Sequence, residues 1–351
     1  RVADWIASLG AQAAQVQAVG EATSGATFPN GCHIAEVEIH IASGVAEVSH
    51  YWAVDDVGQV ISPEQVLGQV HGGVVQGMGQ AFGEHVIYDR ETGQLLTGSY
   101  MDYPMPRAGG LLRHFHHETH AVHTDLNLLG AKGVGESGCS GSLPALANAK
   151  QKAQTVKCMS NQSQIGKAYF MYTDDNRDTY PAINDWASTG GKNGTYDVFT
   201  AATNRPLNIY VGNAYETFRC PSDKGDFWSL AGRGVNCTNA FMQYGNSYLT
   251  EFGFDYYKVK MVCAPKGNTV IVPIKGSEVA RAPSTKIIQG DWIWHANRDV
   301  LKPRSQWHNY KGKNRMMMLF GDSHAEFFKF LPTAQMEALA GQPPDPNFLW
   351  W

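Results

Sequence analysis

Residues 35–41 read Ala35-Glu36-Val37-Glu38-Ile39-His40-Ile41, an alternation of apolar and polar side chains. Alternation with a period of two is typical of a β-strand that buries one face. Ser43-Gly44 supplies a turn, and the residues from Val45 to Val54 predict a second strand. The sequence therefore predicts a β-hairpin in the first part of the chain.

A glycine-rich helix is predicted next, from Gln65 to Phe82. Before it, Ser62 can cap the helix, Pro63 suits the first helical position, and the Gln65 side chain can complete a capping box. Each glycine inside a helix costs roughly 0.5–1 kcal/mol relative to alanine. The helix contains Gly68, Gly72, Gly73, Gly77 and Gly79. The four-residue spacing within two pairs suits the close approach of another backbone or of a flat ligand, and tight packing on a sheet explains it equally well.

A second glycine cluster surrounds Lys132 and Glu136 and consists of Gly130, Gly133, Gly135, Gly138 and Gly141. Such a loop can turn several N–H groups toward an anion. It is not a phosphate-binding P-loop, because Lys132 precedes most of the glycines, and it lacks the spacing of a nucleophile elbow. On spacing alone, Glu136 is typical of a solvated loop residue, and a role as catalytic base is the less favoured interpretation.

Five histidines lie within ten residues: His114, His116, His117, His120 and His123. In a helix His116, His120 and His123 would share a face, whereas in a strand His114 and His116 would. Imidazoles are common ligands of divalent metals. His114, His116 and His120 are therefore candidate ligands for a divalent metal, with a solvated strand as the alternative. For a hydrolase, the ion would be zinc or calcium. A metal-dependent hydrolase, built on this cluster or on acidic loops at Asp174, Asp175 and Asp322, is one hypothesis for function.

Composition limits the classes of protein to which the chain can belong. Its 351 residues leave room for two domains, and 43% hydrophobic and 17% charged residues are typical of a globular protein. The net charge of -4 predicts no nucleic-acid partner. We expect no membrane span, because no apolar run approaches eighteen residues, and no signal peptide is recognisable.

The second part of the chain, from about residue 143, differs in composition from the first and is rich in Asn, Asp, Tyr, Trp and Lys. A helix is predicted from Leu143 to Tyr172, with a break or recap at Ser160-Asn161. Beyond it come short strand-like runs at Tyr196–Phe199, Thr269–Ile274 and Met316–Phe320. We expect a long helix packed on an antiparallel sheet. The four cysteines of this part permit disulfides: Cys158, Cys220, Cys237 and Cys263.

Blocks of the first part resemble the xanthine dehydrogenase/aldehyde oxidase family of bacterial molybdenum hydroxylases. They are Phe28–Glu38, Asp55–Gly58, Gly68–Gln80 (GQVHGGVVQGMGQ), Tyr100–Arg107 and Gly130–Gly138 (GAKGVGESG). The resemblance implies that Glu136 is the general base of hydroxylation. It also implies molybdopterin as cofactor, contacted by Gln76, Gly72, Gly73, Gly77, Gly133 and Gly135. The family builds its site from a much longer subunit, so we expect this chain alone not to hydroxylate purines or aldehydes.

The second part resembles the ectodomain of a type II pseudopilin with a processing-associated C-terminal motif. The matching segments are Lys157–Asn161, Phe218–Asp223, Trp307-His308-Asn309 and Gly321-Asp322-Ser323-His324. Ser323 replaces a glycine, and the gap before it is longer than usual. The resemblance implies a secretion or pilus module without its anchor helix. It also implies Cys158 and Cys220 as disulfide partners, because both lie in family-like motifs of an exported domain.

Together these features predict an α+β chain of two domains. Residues 1–142 would be a truncated molybdopterin-binding α+β domain, and residues 143–351 a pilin-like domain with a long helix on an antiparallel sheet. The run Leu143–Ala149 suits both families, which predicts a fusion, either of genes or made in cloning. The function implied is a hydroxylase fragment fused to a pseudopilin-like module, with its activity lost; the alternatives are a non-catalytic structural module and the hydrolase. A small-molecule substrate, a homo-oligomer, a cytoplasmic-like first part and an exported-like second part are the remaining expectations.

Overall fold

The computed structural model describes residues 4, 7–8, 10, 25–89, 92–108, 112–195, 200–226, 237–294, 302–308 and 314–351. The chain divides into two compact units. The first unit comprises Arg1–Glu36 and Val48–Leu146, and the second comprises Val37–Glu47 and Ala147–Trp351. The predicted domain boundary at residue 142 stays a prediction. No helix in the described ranges is long and apolar enough to span a bilayer.

Three strands form one sheet, in the order β1-β2-β3, and most of their residues belong to the first unit. β1 (Asn30–Ile39) and β2 (Ala46–Asp56) are joined by a turn in which the His40 N–H donates to the Val45 carbonyl at 2.9 Å. This confirms the predicted hairpin. β3 (His114–Thr119) pairs with β2 in parallel. Alternate residues of β2 are buried, namely Tyr51, Ala53 and Asp55, as the period of two requires.

The glycine-rich helix spans Pro63–Met78 and continues into a π-helical turn at Gly79–Gly83. Pro63 occupies the first turn, as predicted, because a proline there sacrifices no helical hydrogen bond. The expected capping box does not form. The Ser62 side chain makes no capping hydrogen bond, and its carbonyl accepts from the Val66 N–H at 3.1 Å as the helix begins.

Glycines allow the glycine-rich helix to approach the first turn of the long helix (Ser137–Asp175) within the first unit. A Cβ added at Gly73 would lie 2.8 Å from the Cys139 nitrogen, and one at Gly138 would lie 2.2 Å from the Val70 carbonyl oxygen. Real Cβ atoms do not approach backbone so closely. These two glycines are therefore required by backbone contact, which is one of the alternatives that the glycine spacing left open.

In the second unit, the long helix packs on a four-stranded antiparallel sheet. Its strands lie in the order β5 (Tyr248–Thr250), β7 (Ile287–Asp291), β8 (Arg315–Phe320) and β9 (Ala325–Lys329). Cys158, Ile165 and Tyr169 of the helix share one buried core with the sheet, and the Tyr169 hydroxyl donates to Gln289 Oε1 at 3.2 Å. The predicted helix-on-sheet arrangement is thus present, and its pilin-like identity stays a prediction. The unit also contains a two-stranded parallel sheet of β4 (Ala182–Ile183) and β6 (Ala264–Pro265).

Two local predictions for this unit are wrong. The long helix does not break at Ser160-Asn161, because the Asn161 side chain instead donates to the Arg219 carbonyl at 2.8 Å and is buried. Thr269–Ile274 is not a strand: Asn268 Oδ1 accepts from the N–H groups of residues 270 and 271, which makes a turn. The run Met316–Phe320 is confirmed as β8, whereas Tyr196–Phe199 lies outside the described residues.

Short helices and a buried arginine organise the connections of the second unit. The α-helices are Ala240–Tyr244, Gly276–Val279 and Thr333–Glu337, and the 3-10 turns are Ala202–Asn204, Ile209–Val211, Tyr215–Phe218 and Pro303–Ser305. The Arg205 side chain is buried and donates to the carbonyls of residues 187, 190, 200 and 244 at 2.9–3.2 Å. One guanidinium therefore satisfies four carbonyl groups from three segments.

Candidate active site

The glycine loop, residues 130–136, is held in place by backbone pairing and by one ion pair. Lys132 donates its N–H to the Val57 carbonyl at 2.8 Å, and its Nζ lies 2.5 Å from Asp56 Oδ2. This hydrogen bond from Lys132, with backbone donors from residues 122 and 58, lowers the pKa of Asp56 to about 2. Asp56 is therefore ionised at neutral pH, and its contact with Lys132 fixes the start of the loop against the end of β2.

Glu136 lies on the wall of a cavity of about 560 Å³. Its side chain is exposed, and in the part of the chain that the structure describes no group donates to its carboxylate. The long helix begins at the next residue, Ser137. The cavity is lined by Phe28, Pro29, Asn30, Gly31, His33, Asp55, Gly133, Gly135, Glu136, Ser137, Ser140 and Gly141.

The loop also presents backbone donors beside Glu136. The N–H groups of residues 133–136 donate to no acceptor within the described ranges, and a Cβ at Gly135 would meet nothing within 4 Å. Consecutive free N–H groups before a helix suit an anionic or strongly polar ligand. The site thus combines an accessible base with hydrogen-bond donors.

A buried chain of hydrogen bonds lies behind this cavity. Tyr51 Oη lies 2.8 Å from His33 Nδ1, and His33 Nε2 lies 3.3 Å from Asp55 Oδ1. Burial, together with the charge of Asp55, raises the pKa of Tyr51, so its hydroxyl donates to Nδ1 and the His33 Nε2–H donates to Asp55. His117 Nε2 approaches the other oxygen of Asp55 at 3.4 Å. Two imidazoles therefore flank one carboxylate that borders the cavity.

A second cavity of about 630 Å³ lies between the start of the glycine-rich helix and the glycine loop. Three glutamine amides reach it, from Gln59, Gln65 and Gln69, together with Lys132. Each amide offers both donors and an acceptor, which suits the edge of a polar heterocycle. Gly68 faces this cavity, and a Cβ there would meet no atom within 4 Å.

The residues that the resemblance assigns to the pterin fall into three groups. Gly133 and Gly135 line the cavity together with Glu136. Gly72 and Gln76 are exposed on the glycine-rich helix and border neither cavity described above. Gly73 and Gly77 are buried against the first turns of the long helix, which accounts for these two glycines without a ligand. Their assignment as cofactor contacts stays a prediction.

The candidate metal ligands His114 and His116 lie in β3, and His120 follows it directly. The segment is therefore a strand and not a helix. The His114 ring stacks on His50 at 4.5 Å and the His116 ring stacks on Trp52 at 6.0 Å. His120 follows the strand, and its N–H donates to the Asp55 carbonyl at 3.0 Å. Across the described residues these three do not belong to a group with metal-ligand geometry, and their metal role stays a prediction.

The acidic loops named with the hydrolase hypothesis also have local partners. Asp322 accepts from the His324 ring at 2.5 Å, and Asp175 accepts from the Tyr210 hydroxyl at 2.9 Å. Neither lies in a metal-ligand group of the described ranges.

Sequence reasoning did not single out His33 and Asp55 as site residues. The alternation in β2 could have indicated Asp55, because it places this residue on the same buried face of the strand as Tyr51 and Ala53. A carboxylate at a buried strand position requires a partner, and a histidine on the neighbouring strand is a natural one.

Residues 4–111 match the family described as the molybdopterin cofactor-binding domain. The carbon monoxide dehydrogenase large chain of Afipia carboxidovorans is 36% identical over 134 residues, which are 36% of this chain and 16% of that protein. The nicotine 6-hydroxylase large subunit of Paenarthrobacter nicotinovorans is 38% identical over 135 residues, 37% of this chain and 16% of that protein. The crystal structure of a Cu,Mo-containing CO dehydrogenase matches with 34% identity and a TM-score of 0.34, over 36% of this chain and 16% of that chain.

The N-terminal part of the chain, about residues 4–111, is therefore a molybdopterin-binding domain of the xanthine dehydrogenase/CO dehydrogenase family. The chain spans 16% of the length of both curated relatives. The resemblance of residues 143–351 to a pseudopilin stays a prediction.

Proposed function

We propose that this chain joins part of a molybdenum hydroxylase, residues 1–142, to a pseudopilin-like module, residues 143–351. In this proposal the first part keeps the base-bearing wall of the hydroxylase site, with Glu136 as general base, and the chain alone no longer turns over substrate. A small heterocycle or aldehyde would be the substrate of the complete site. The first part would then be cytoplasmic in origin and the second exported.

The observation that carries the proposal is that the Glu136 side chain is exposed and unpaired beside a cavity. Its carboxylate is exposed and takes no hydrogen bond from any described residue, although it lies on the wall of a cavity of about 560 Å³. A general base must have a free lone pair within reach of the proton it takes. A carboxylate held on a fixed loop beside open space meets this requirement, whereas one that only stabilised the loop would be paired.

The residues present fit one side of molybdopterin. The free N–H groups of Gly133 and Gly135 would hold polar atoms of the cofactor, and Gly72 and Gln76 are open to contact it. When bound, the cofactor would supply the two-electron oxidation that hydroxylation requires. Glu136 Oε would accept a proton, and the Asp56–Lys132 pair would hold the loop that positions it.

We expect no turnover because the residues that would contact the cofactor are exposed to solvent. Cofactor sites bury most of their ligand and grip it at many points. Glu136, Gly133, Gly135 and Ser140 are all exposed, so the described residues form a wall and do not enclose a ligand. We therefore expect weak retention of the cofactor by this chain alone.

The test is to express the full chain with ample molybdate and to measure three quantities on one preparation. These are molybdenum by mass spectrometry, pterin by fluorescence after oxidation, and substrate-dependent reduction of an acceptor dye. The proposal expects molybdenum and pterin far below one per chain and no dye reduction.

The Glu136→Gln variant tests the assigned role directly. If the unmodified chain turns over substrate, loss of that turnover in Glu136→Gln would disprove the inactive state while keeping Glu136 as the base. Turnover that survives in Glu136→Gln at equal cofactor content would reject Glu136 as the base. The control is Glu64→Gln, an exposed glutamate in the first turn of the glycine-rich helix, which should change nothing.

A further inference from the structure

Four side chains with metal-binding atoms meet in the interior of the second unit. Cys158 comes from the long helix, Cys220 follows the 3-10 turn Tyr215–Phe218, Asp291 ends β7, and His308 follows Pro303–Ser305. All four residues are buried, and their ligand atoms lie within 4.8 Å of one another. Within the described ranges this is the one group of this kind.

The distances match the edges of a small tetrahedron. Cys220 Sγ lies 3.1 Å from His308 Nε2, Cys158 Sγ lies 3.7 Å from Asp291 Oδ1, and His308 Nε2 lies 3.9 Å from Asp291 Oδ2. Zinc bonds of about 2.3 Å to sulfur and about 2.0–2.2 Å to nitrogen and oxygen give tetrahedral edges of roughly 3.3–3.8 Å. The two Asp291 distances belong to its two oxygens, and the four ligand atoms lie within 4.8 Å of one another. Shifts of about one ångström would therefore bring one oxygen and the other three ligand atoms onto one ion.

The surrounding contacts orient the ligand atoms inward. His308 Nδ1 lies 3.3 Å from Thr155 Oγ1, so its N–H donates there and Nε2 presents its lone pair to the cluster. Asp291 Oδ2 accepts from the Met317 N–H at 3.0 Å, and the Tyr248 hydroxyl lies 3.3 Å from Cys158 Sγ. Such outer contacts to ligands are characteristic of protein metal sites, where they fix the tautomer and the direction of each donor.

Without a cation the four side chains contact one another only through weak hydrogen bonds that involve a thiol. Two thiols, which are weak hydrogen-bonding groups, share the interior with a carboxyl group and an imidazole. A divalent cation would displace the protons from the sulfur and carboxyl groups and replace these weak contacts with coordination.

We propose that Cys158, Cys220, Asp291 and His308 form a closed structural zinc site. Two thiolates with one imidazole and one carboxylate at tetrahedral spacing select zinc among common divalent metals. The burial of all four leaves no open position for substrate, so the site is structural. It would tie the long helix and β7 to two irregular segments whose ligands are distant in sequence. It is separate from the histidines of β3.

The two cysteines were expected to form a disulfide. The structure brings Cys158 and Cys220 together, as that expectation requires, but as free thiols beside Asp291 and His308. A disulfide would leave a buried histidine and a buried carboxyl with no partner of matching strength. The two states exclude each other, because a disulfide sulfur is no longer a thiolate ligand.

The test is metal analysis of the full chain, purified with a reductant and without chelator. We expect close to one zinc per chain, and at least tenfold less in Cys220→Ser. The matched control is Cys263→Ser, which changes another buried cysteine of the same unit outside the cluster and should keep the zinc. Exchange of cobalt into the unmodified chain should give thiolate-to-cobalt charge transfer and the visible bands of tetrahedral cobalt, so the test does not depend on folding of the variant.

Three outcomes would overturn the proposal. The first is less than a tenth of a zinc per chain, with no tetrahedral cobalt spectrum. The second is full zinc in Cys220→Ser, which would place the ion elsewhere, for example at the β3 histidines. The third is a Cys158–Cys220 disulfide found by peptide mapping of chain prepared without reductant and alkylated at once.

Discussion

Replacing Asp56 with asparagine would remove the charge that holds the glycine loop to the end of β2. Asp56 Oδ2 lies 2.5 Å from Lys132 Nζ, while Oδ1 accepts from the N–H groups of residues 58 and 122 at 3.0 Å each. Asparagine can keep an oxygen for the two backbone donors and loses only the ion pair. The variant therefore isolates the charge.

The magnitude follows from the pKa of Asp56. Its fall from 3.8 to about 2 corresponds to about 2.5 kcal/mol of preference for the charged form in the folded state. The two side chains remain 12% and 14% exposed, so water screens part of this energy, and we expect a loss of about 1–2 kcal/mol at pH 7. Because the folded pKa is lowered, the stabilisation is present above about pH 4 and lost as the pH falls toward 2.

The assay must report on the first unit alone, since a chain of two units need not unfold in one step. Pulse-labelling hydrogen exchange along a urea series, read on peptides from β2 and the glycine loop, gives the local free energy of unfolding. We expect the difference between the unmodified chain and Asp56→Asn at pH 7 to shrink to nothing near pH 2. Lys132→Met should behave alike, and the double variant should lose no more than either single one.

A difference that stays the same from pH 7 to pH 2 would refute this reasoning, because it would assign the stabilisation to neutral hydrogen bonds. No destabilisation at pH 7 would refute it as well. The pair would then be one of many exposed ion pairs that contribute nothing measurable.

Two further predictions concern packing and buried polar groups. Gly138→Ala should destabilise the first unit by about 1–3 kcal/mol, because its Cβ would collide with backbone of the glycine-rich helix, whereas Gly68→Ala faces open space and should stabilise by about 0.5–1 kcal/mol. The same exchange assay measures both, and equal effects would contradict the packing argument. Arg205→Leu should destabilise the second unit by more than about 3 kcal/mol in urea unfolding, since four buried carbonyls lose their donor. Arg219→Leu, from an exposed pair with Glu216, should stay within about 0.5 kcal/mol, and a similar loss in both would contradict the role of burial.

Periodicity predicted the elements whose packing is local. The alternation at residues 35–41 gave a strand, and the helical spacing after Leu143 gave a helix that begins at Ser137 and ends at Asp175. Turn chemistry was harder to read. At Thr269–Ile274 an apolar run with β-branched residues suggested a strand, but the preceding asparagine side chain organises its first residues as a turn.

The candidate sites likewise divide into residues that the sequence could indicate and contacts that only the folded chain creates. Glu136 could be named because a resemblance attaches a role to its motif, and its placement beside a cavity is a property of the fold. The pairing of His33 with Asp55 depends on how β1 and β2 lie beside each other, so spacing along the chain does not encode it directly. Cys220 and His308 are 88 residues apart, and only the packed second unit brings them to hydrogen-bond distance.

The six cysteines differ in their exposure to solvent, and this difference permits labelling at a single position. Cys32 is exposed and the other five are buried. It lies in β1 between Gly31 and His33, which both line the cavity of Glu136, so its own side chain leaves the opposite face of the strand. A thiol-reactive fluorophore or spin label would therefore attach at this one position in the folded chain. The label would sit on the back of the cavity wall and report ligand entry without entering the cavity itself.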